Sequence, residues 1–356
     1  MDKPIILKEG NYSKTDISSL REGQKVFAEI DIYENQLNEM FEIETPHLLS
    51  DQSLESLQKK NIENTLGNDP EIRGNWVYFP WSGKLLHIVV EGHYYKLRTN
   101  RNKNLITEDE QNKLSSFTVG IVGLSIGGNI AANLAYSGIS NTMKLADFDT
   151  LETTNLNRVQ LGIDTVGKSK VEGIAHRIYE INPYADLHLF TQGLKVDTLG
   201  SFIDDDPKPK LLVDAIDDIE MKIRLRMYAR EVGIPVVMFT NLGDSVLIDI
   251  ERYDQDKNTE LFNGLLGKES IDEILKGVPK EHVNKYAVEI VGRENVPQRA
   301  IESVKEIGKT LVGRPQLMST VSISSGVAPY LIRKIILNNN VNSGRRRIDF
   351  DSVLFI

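Results

Sequence analysis

One connection in this chain, LADFDTLETTNLNRVQLGIDTVGKSK at residues 145–170, gathers an anion, amides and cations: Asp147, Asn155, Asn157, Arg158 and Lys170. It follows a glycine-rich turn, Gly123-Leu124-Ser125-Ile126-Gly127-Gly128. Such a turn, opening a helix, lets backbone N–H groups meet a phosphate, although Ser125 stands where a second glycine would allow the closest approach. Asp147, 24 residues past Gly123, can accept hydrogen bonds from both ribose hydroxyls. Arg158 and Lys170 then bring fixed positive charge that a dinucleotide pyrophosphate hardly requires. A triphosphate attacked at its α-phosphorus does require it, because charge develops on several oxygens as pyrophosphate departs. Asp217, just after KLLVDAI, is placed to hold a magnesium ion against those oxygens, while Asn155 and Asn157 are candidates to orient phosphate or sugar. Each residue also has a plain structural alternative. The glycine turn can simply pack a helix on a strand, Lys170 can be a surface lysine, and Arg158 can form a loop ion pair. Asp217 or Asp218 can be the N-cap of the helix that begins IEMKIRL. The order and spacing of the whole set favour a site.

The elements that must position these residues alternate. FTVGIVGL is a continuous apolar run suited to a buried parallel strand, and GGNIAANLAYSGI follows as a helix with small residues on one side. TMKLADF, ADLHLF, PKLLVDAID and IPVVMFT read as further strands; KSKVEGIAHRIYEIN reads as a helix and DIEMKIRLRMYAREVG as another closed by Gly233. Strands alternating with helices predict an α/β, Rossmann-like, doubly wound and mainly parallel sheet flanked by helices. Ligands of such sheets sit at the carboxyl ends of the strands. SVLIDIERY reads as an added strand, the charged region 241–297 as a candidate substrate-covering insertion, and residues 298–312 and 316–337 as two helices. Residues 1–95, with alternating aromatic-rich segments such as NWVYFPWSGKLLHIVVEGHYYKLR, read as a small α+β N-terminal module. Its Tyr78, Phe79 and Trp81 are expected to pack onto the main domain rather than to form a recognition surface. Residues 96–356 form the main domain.

Composition narrows the chemistry. The 356 residues carry a net charge of −9, which disfavours broad affinity for nucleic acid. The one basic run, Arg345-Arg346-Arg347, reads as a solvated stretch before a strand-like IDFDSVLFI. There is no cysteine, hence no disulfide, no Cys-liganded zinc and no thioester on this chain. No stretch approaches the roughly 18 apolar residues of a bilayer span, and no signal peptide is evident, so the expected location is the cytoplasm, with no membrane partner.

The ordered set VGIVGLSIGG, LADFDT, TNLNR, VGKSK and VDAIDD resembles the ThiF/MoeB/ubiquitin-activating adenylyltransferases, over roughly residues 98–240. LRTNRNK resembles the family's Arg-Tyr-x-Arg segment, in which an arginine reaches the phosphates, often from the other subunit of a dimer. That arginine would be Arg101. The longer run WVYFPWS…LRTNRNKNLIT is similar to stand-alone bacterial members. The resemblance implies ribose contact by Asp147, phosphate contact by Asn155, Arg158 and Lys170, and magnesium or catalytic duty for Asp217. It implies ATP and Mg2+ as cofactors, a homodimer, and a carboxylate substrate at the C-terminus of a ubiquitin-like or sulfur-carrier protein or peptide, activated as an acyl adenylate. Three departures stand out. Ser125 and Ile126 replace family glycines, Asp218 replaces the usual asparagine, and both the catalytic cysteine and the Cys-x-x-Cys zinc sites are missing. An enzyme without that cysteine stops at the adenylate or passes the acyl group to an external nucleophile. The competing expectations are a nucleotide-binding regulatory or scaffold protein and, more distantly, an NAD-dependent oxidoreductase, which would leave Arg158, Lys170 and Asp217 without a task.

Overall fold

The computed structural model describes residues 2–277 and 282–355. The chain divides into two compact units, one running to Glu108 and including Tyr179–Tyr184, the other comprising Asp109–Ile178 and the chain from Ala185 onward.

The first unit is α+β. Its strands are β1 (Ile5–Leu7), β2 (Ala28–Asp31), β3 (Asn75–Phe79) and β4 (Lys84–Ile88), joined by helices α1 (Lys14–Gly23), α2 (Tyr33–Glu44), α3 (Leu54–Leu66) and α4 (Glu91–Thr99). They form a sheet in the order β1-β3-β4-β2, antiparallel except for the β2–β4 pair. Trp76, Tyr78 and Leu85 meet Ile17 and Leu20 of α1 in its core. Of the aromatic run, Tyr78 and Phe79 are buried, Tyr78 within this unit's own core, and Trp81 Nε1 donates to Glu180 Oε1 at 2.9 Å.

The second unit is built on seven strands. After α5 (Glu108–Ser116) come β5 (Thr118–Val122), α6 (Ile126–Tyr136), β6 (Thr142–Ala146), α7 (Lys170–Ile181), β7 (Asp186–Phe190), α8 (Leu199–Asp204) and β8 (Leu211–Asp214). Then follow α9 (Ile219–Val232), β9 (Val236–Leu242), β10 (Ser245–Glu251), α10 (Lys268–Leu275), α11 (Val283–Val291), α12 (Gln298–Val304), α13 (Met318–Ile336), β11 (Gly344–Asp349) and α14 (Phe350–Leu354). The sheet order is β11-β10-β9-β8-β5-β6-β7. The five strands from β9 to β7 are parallel, and β10 and β11 extend the sheet antiparallel. All five residues of β5 are buried, as a central parallel strand requires. The chain winds outward from β5 in one direction through β6 and β7 and in the other through β8 and β9. The strand order therefore reverses between β5 and β8, which is where ligands of such sheets bind.

Three expectations change. The triple-arginine run lies in the edge strand β11: Arg346 and Arg347 are exposed, as a solvated run would be, but Arg345 forks onto buried Asp249, Nε–Oδ1 2.7 Å and Nη2–Oδ2 2.9 Å. The strand-like tail after it turns helical, because Asp349 caps α14 by accepting from the Ser352 N–H. The helix expected over 298–312 stops at Val304, and the chain turns through Gly308 at φ +81°, a conformation glycine adopts without strain. The region 241–297 includes residues 278–281, which lie outside the described ones. Of the remainder, β10 belongs to the sheet, while the turn at Leu261–Gly264 and helices α10 and α11 build an apolar cluster, with Phe262, Ile274, Tyr286 and Ile290 packed on Ile219, Ile223 and Met238.

Beneath the ends of β8 and β10 lies a buried ionic cluster. Arg226 donates from Nη1 to Asp214 Oδ2 at 2.5 Å and from Nε to Glu251 Oε2 at 2.8 Å, with all three side chains inaccessible. Lys222 Nζ adds 3.0 Å and 3.1 Å contacts to the two oxygens of Asp214. Glu251 Oε1 accepts from the Tyr253 hydroxyl and from the Phe262 N–H. Burial opposes ionisation of Asp214, yet Lys222 and Arg226 hold its carboxyl below the usual range.

Candidate active site

Gly123 ends β5 at φ +86°, and a Cβ there would lie 2.2 Å from the Ala215 carbonyl oxygen. Only glycine lets the β5 and β8 ends come this close, and the close approach leaves α6 opening onto the switch point. Gly127 and Gly128 serve packing instead: a Cβ would meet Ile121 at 2.9 Å or Ile174 at 2.6 Å. They seat α6 and do not face the cavity. Ser125 is the N-cap of α6, and its Oγ is buried with no hydrogen-bond partner in the structure described.

Asp147 follows β6 and is 8% exposed. Its Oδ2 accepts from the Leu124 N–H at 2.6 Å and its Oδ1 from the Asp149 N–H at 2.7 Å. The carboxylate thus clamps the glycine turn to its own loop while keeping lone pairs free on both oxygens. Burial pushes its carboxyl up, against the opposing pull of those two N–H groups and of Lys170.

Lys170 reaches the same strand end from 23 residues further on because the loop is zipped to its own start. Leu151 N donates to Lys168 O, Lys170 N donates to Asp149 O, and Thr150 bridges to Ser169. The Lys170 side chain is 6% exposed, and its Nζ lies 2.8 Å from Asp149 Oδ2, a carboxylate half open to solvent. The intervening loop is held from below by Asn129, fully buried in α6. Its Nδ2 donates to Arg158 O, and its Oδ1 accepts from the Gln160 N–H. Arg158 donates from Nη1 to Asn157 Oδ1 and Thr154 O, whereas its Nε is buried without a partner. Burial lowers the basicity of this guanidinium, and the charge of Asp217 works the other way.

These groups line one cavity of about 360 Å³, with Gly123, Ser125, Asp147, Asn155, Arg158, Lys170 and Asp217 in its wall. The structure thereby brings together most of the residues singled out from the sequence. Asn155 is buried in that wall, its Oδ1 capping the local turn through Glu152 N. Asn157 is exposed and stands outside the wall, spending its Nδ2 on Gln316 O. Arg101 lies in the first unit, exposed in the short turn Asn100–Asn102. Asp218 is the N-cap of α9, accepting from the Met221 N–H at 2.9 Å. Asp217, beside it, is exposed and makes no such cap.

Three contributors escaped the sequence reading. Phe148 was quoted inside LADFDT without a role, yet it is 74% exposed on the cavity rim. Gln316 also lines the cavity, just before α13, at the first position of the helix expected over 316–337. Asn129 was hidden in an apolar helix, where a buried amide was the only clue.

The fold defines a Rossmann-like α/β domain, with Asp147, Arg158, Lys170 and Asp217 gathered at one strand end. The chain belongs to the ThiF family, which it matches over residues 98–341. It is 35% identical over 279 residues to an uncharacterized protein of Mycobacterium tuberculosis (strain CDC 1551 / Oshkosh), a match covering 78% of this chain and 38% of that protein. It is 28% identical over 256 residues to the molybdopterin-synthase adenylyltransferase of Haemophilus influenzae, covering 70% of this chain and 98% of that one. The chain therefore spans well under half of the first relative and nearly all of the second. Among solved structures, Escherichia coli tRNA N6-threonylcarbamoyladenosine dehydratase, TcdA, superposes with a TM-score of 0.51 at 20% identity, over 70% of this chain and 98% of that one. E. coli MccB with ATP gives 0.51 at 16% identity, over 89% and 84%. At these identities the structural likeness speaks for the fold.

Proposed function

We propose that the protein is an ATP-dependent adenylyltransferase that activates a carboxylate as an acyl adenylate. The observation that carries this reading is the cavity at the β5–β8 switch point. There a buried aspartate, two desolvated cations and an unpartnered hydroxyl converge, while the Asp214–Arg226–Glu251 cluster pairs its charges. Membership of the ThiF family and the similarity to a molybdopterin-synthase adenylyltransferase support it.

In this mechanism Asp147 accepts from the ribose hydroxyls with its remaining lone pairs. The N-terminus of α6 at Ser125 offers N–H groups to phosphate. Lys170 has ammonium donors beyond the one spent on Asp149, and Arg158 has a desolvated guanidinium; both stabilise the charge that grows on the phosphate oxygens. A substrate carboxylate oxygen bonds to the α-phosphorus, the bond from that phosphorus to the bridging oxygen breaks, and pyrophosphate leaves. The carboxylate attacks ionised, so no proton moves. Among the described residues no three His, Cys, Asp or Glu side chains group as a metal site. Magnesium would thus be held by Asp217 together with phosphate oxygens and water, supplying charge neutralisation on the departing pyrophosphate. Asp218, committed to capping α9, leaves that position to Asp217 alone. Arg101 is proposed to reach the phosphates within a homodimer.

The substrate is proposed to be the C-terminus of a small protein or peptide, a reading supported by the ubiquitin-like modifier-activating enzymes among the relatives. Without a cysteine on this chain, the acyl group would pass from the adenylate directly to an external nucleophile. Among the described residues no helix is long and apolar enough to cross a membrane, and a cytoplasmic location is proposed. ATP–pyrophosphate exchange with a panel of C-terminal peptides tests the reading. Exchange that depends on one peptide and disappears in Asp217→Ala is expected. Exchange unaltered in that variant removes Asp217 from the mechanism, and absence of exchange with every carboxylate, despite ATP binding, favours a nucleotide-sensing scaffold.

A further inference from the structure

A second cavity, of about 170 Å³, opens at the carboxyl end of β9. It shares Ser125, Ala215, Ile216, Asp217 and Gln316 with the first, so the two chambers meet across the N-terminus of α6. The unpartnered Ser125 Oγ stands in the common wall. The other walls differ in character. The first chamber is lined mainly by polar and charged groups, whereas the second has one apolar side, Ile219, Met238, Phe239, Ile290 and Val291, all buried, facing polar groups that include Asp217, Thr240 and Asn241.

Two cations border this chamber, Lys222 and Arg314. The position of Lys222 is informative. Two of its contacts go to the oxygens of Asp214, and a third goes to the thioether of Met238, Nζ–Sδ 3.4 Å. A thioether is a weak acceptor, so an ammonium donor is spent on a group that a carboxylate would outcompete through a charge-assisted bond. The chamber therefore offers an anion-receiving group at one side, an apolar lining, and an opening toward the phosphate end of the neighbouring cavity.

We propose that this chamber seats the terminal residue of the carboxylate substrate, that this residue carries a compact apolar side chain such as that of valine or leucine, and that Lys222 receives its carboxylate before attack. The inference rests on the adenylation reading and refines it from any C-terminal carboxylate to a side-chain class. Size supports it: an apolar cavity of about 150 Å³ accommodates benzene, so the chamber has room for a branched aliphatic group. Discrimination follows from burial, since one methylene in an apolar pocket contributes roughly 10–200-fold.

The test is calorimetric titration of non-hydrolysable acyl-adenylate analogues, namely sulfamoyl adenosine bearing N-acetylglycyl, N-acetylvalyl, N-acetyl-leucyl or N-acetylaspartyl groups, with unsubstituted sulfamoyl adenosine and ATP as references. The valyl or leucyl analogue is expected to bind at least ~10-fold tighter than the glycyl and aspartyl ones. Ala287→Phe, which projects into the chamber from α11, should abolish that preference while leaving ATP binding unchanged. Lys222→Met should raise about tenfold the concentration of free N-acetylvaline that half-saturates ATP–pyrophosphate exchange, with Lys222→Arg restoring most of the loss, whereas the valyl analogue, which carries no carboxylate, should bind both variants nearly as it binds the wild type. Equal or tighter binding of the glycyl analogue overturns the side-chain assignment while leaving adenylation standing. Failure of ATP and sulfamoyl adenosine themselves to bind overturns both.

Discussion

Two sets of buried charges lie within the same half of this sheet, and they are finished differently. Under β8 and β10, Asp214, Arg226 and Glu251 are fully inaccessible and each is paired, with Lys222, Tyr253 and the Phe262 N–H taking up remaining bonds. At the switch point the same residue types remain incomplete. Ser125 Oγ and Arg158 Nε are buried without partners, and Lys170 faces a carboxylate that is half in solvent. A buried polar group left unsatisfied costs free energy, so its persistence marks a place where something else completes the bonding. Charge and burial are common to both regions, and only the accounting of partners separates scaffold from site.

The comparison can be broken from either side. The largest effect is expected in the finished cluster. Arg226→Met strands two buried carboxylates and should cost about 3–5 kcal/mol in denaturant unfolding, while the folded fraction still binds nucleotide. A loss near zero would mean the cluster is not a structural element. In the unfinished region the signs reverse. Lys170→Ala should lower adenylation ~10²-fold, the scale for loss of a transition-state charge partner, yet cost about 0–1 kcal/mol of stability, as its ion-pair partner is exposed.

Acid sharpens the contrast. Asp214 titrates below the usual range, so its stabilising contribution is present above the ordinary aspartate value and is lost only as pH falls through its depressed one. Asp147 is shifted up, chiefly by burial, and protonates earlier. Adenosine, which carries no phosphate to confuse the titration, should lose affinity with a midpoint above the ordinary aspartate value of about 3.9, at a pH where the fold is intact by circular dichroism. Coincident loss of binding and fold would contradict the distinction. The smallest effect belongs to Asp218→Ala, which removes the α9 cap at a cost of about 1 kcal/mol and should change turnover far less than Asp217→Ala does.

Much of this was legible in the sequence, for identifiable reasons. The parallel strands are continuous apolar runs, and Gly233 closes α9 in the left-handed conformation, φ +75°, as its place after the helix suggested. The site residues were legible because they sit at strand ends in a fixed order. What stayed hidden depends on tertiary partners. Arg345 reads as one of three like charges, and only the strand opposite, carrying buried Asp249, turns it into half of a forked ion pair. Asp217 and Asp218 are adjacent and chemically alike, and only the direction of the first turn of α9 decides which one caps it. Asn129, Gln316 and Lys222 lie inside ordinary-looking segments and acquire their places by folding.

The central claim is that the unpartnered groups at the switch point await a triphosphate. Calorimetric titration of ATP and of NAD into the wild-type protein and into Lys170→Ala tests it most directly. The account predicts ATP binding with magnesium that exceeds that of NAD and falls at least ~10-fold in the variant, the worth of a charge-assisted contact. Tighter binding of NAD, or ATP affinity indifferent to Lys170, would contradict it.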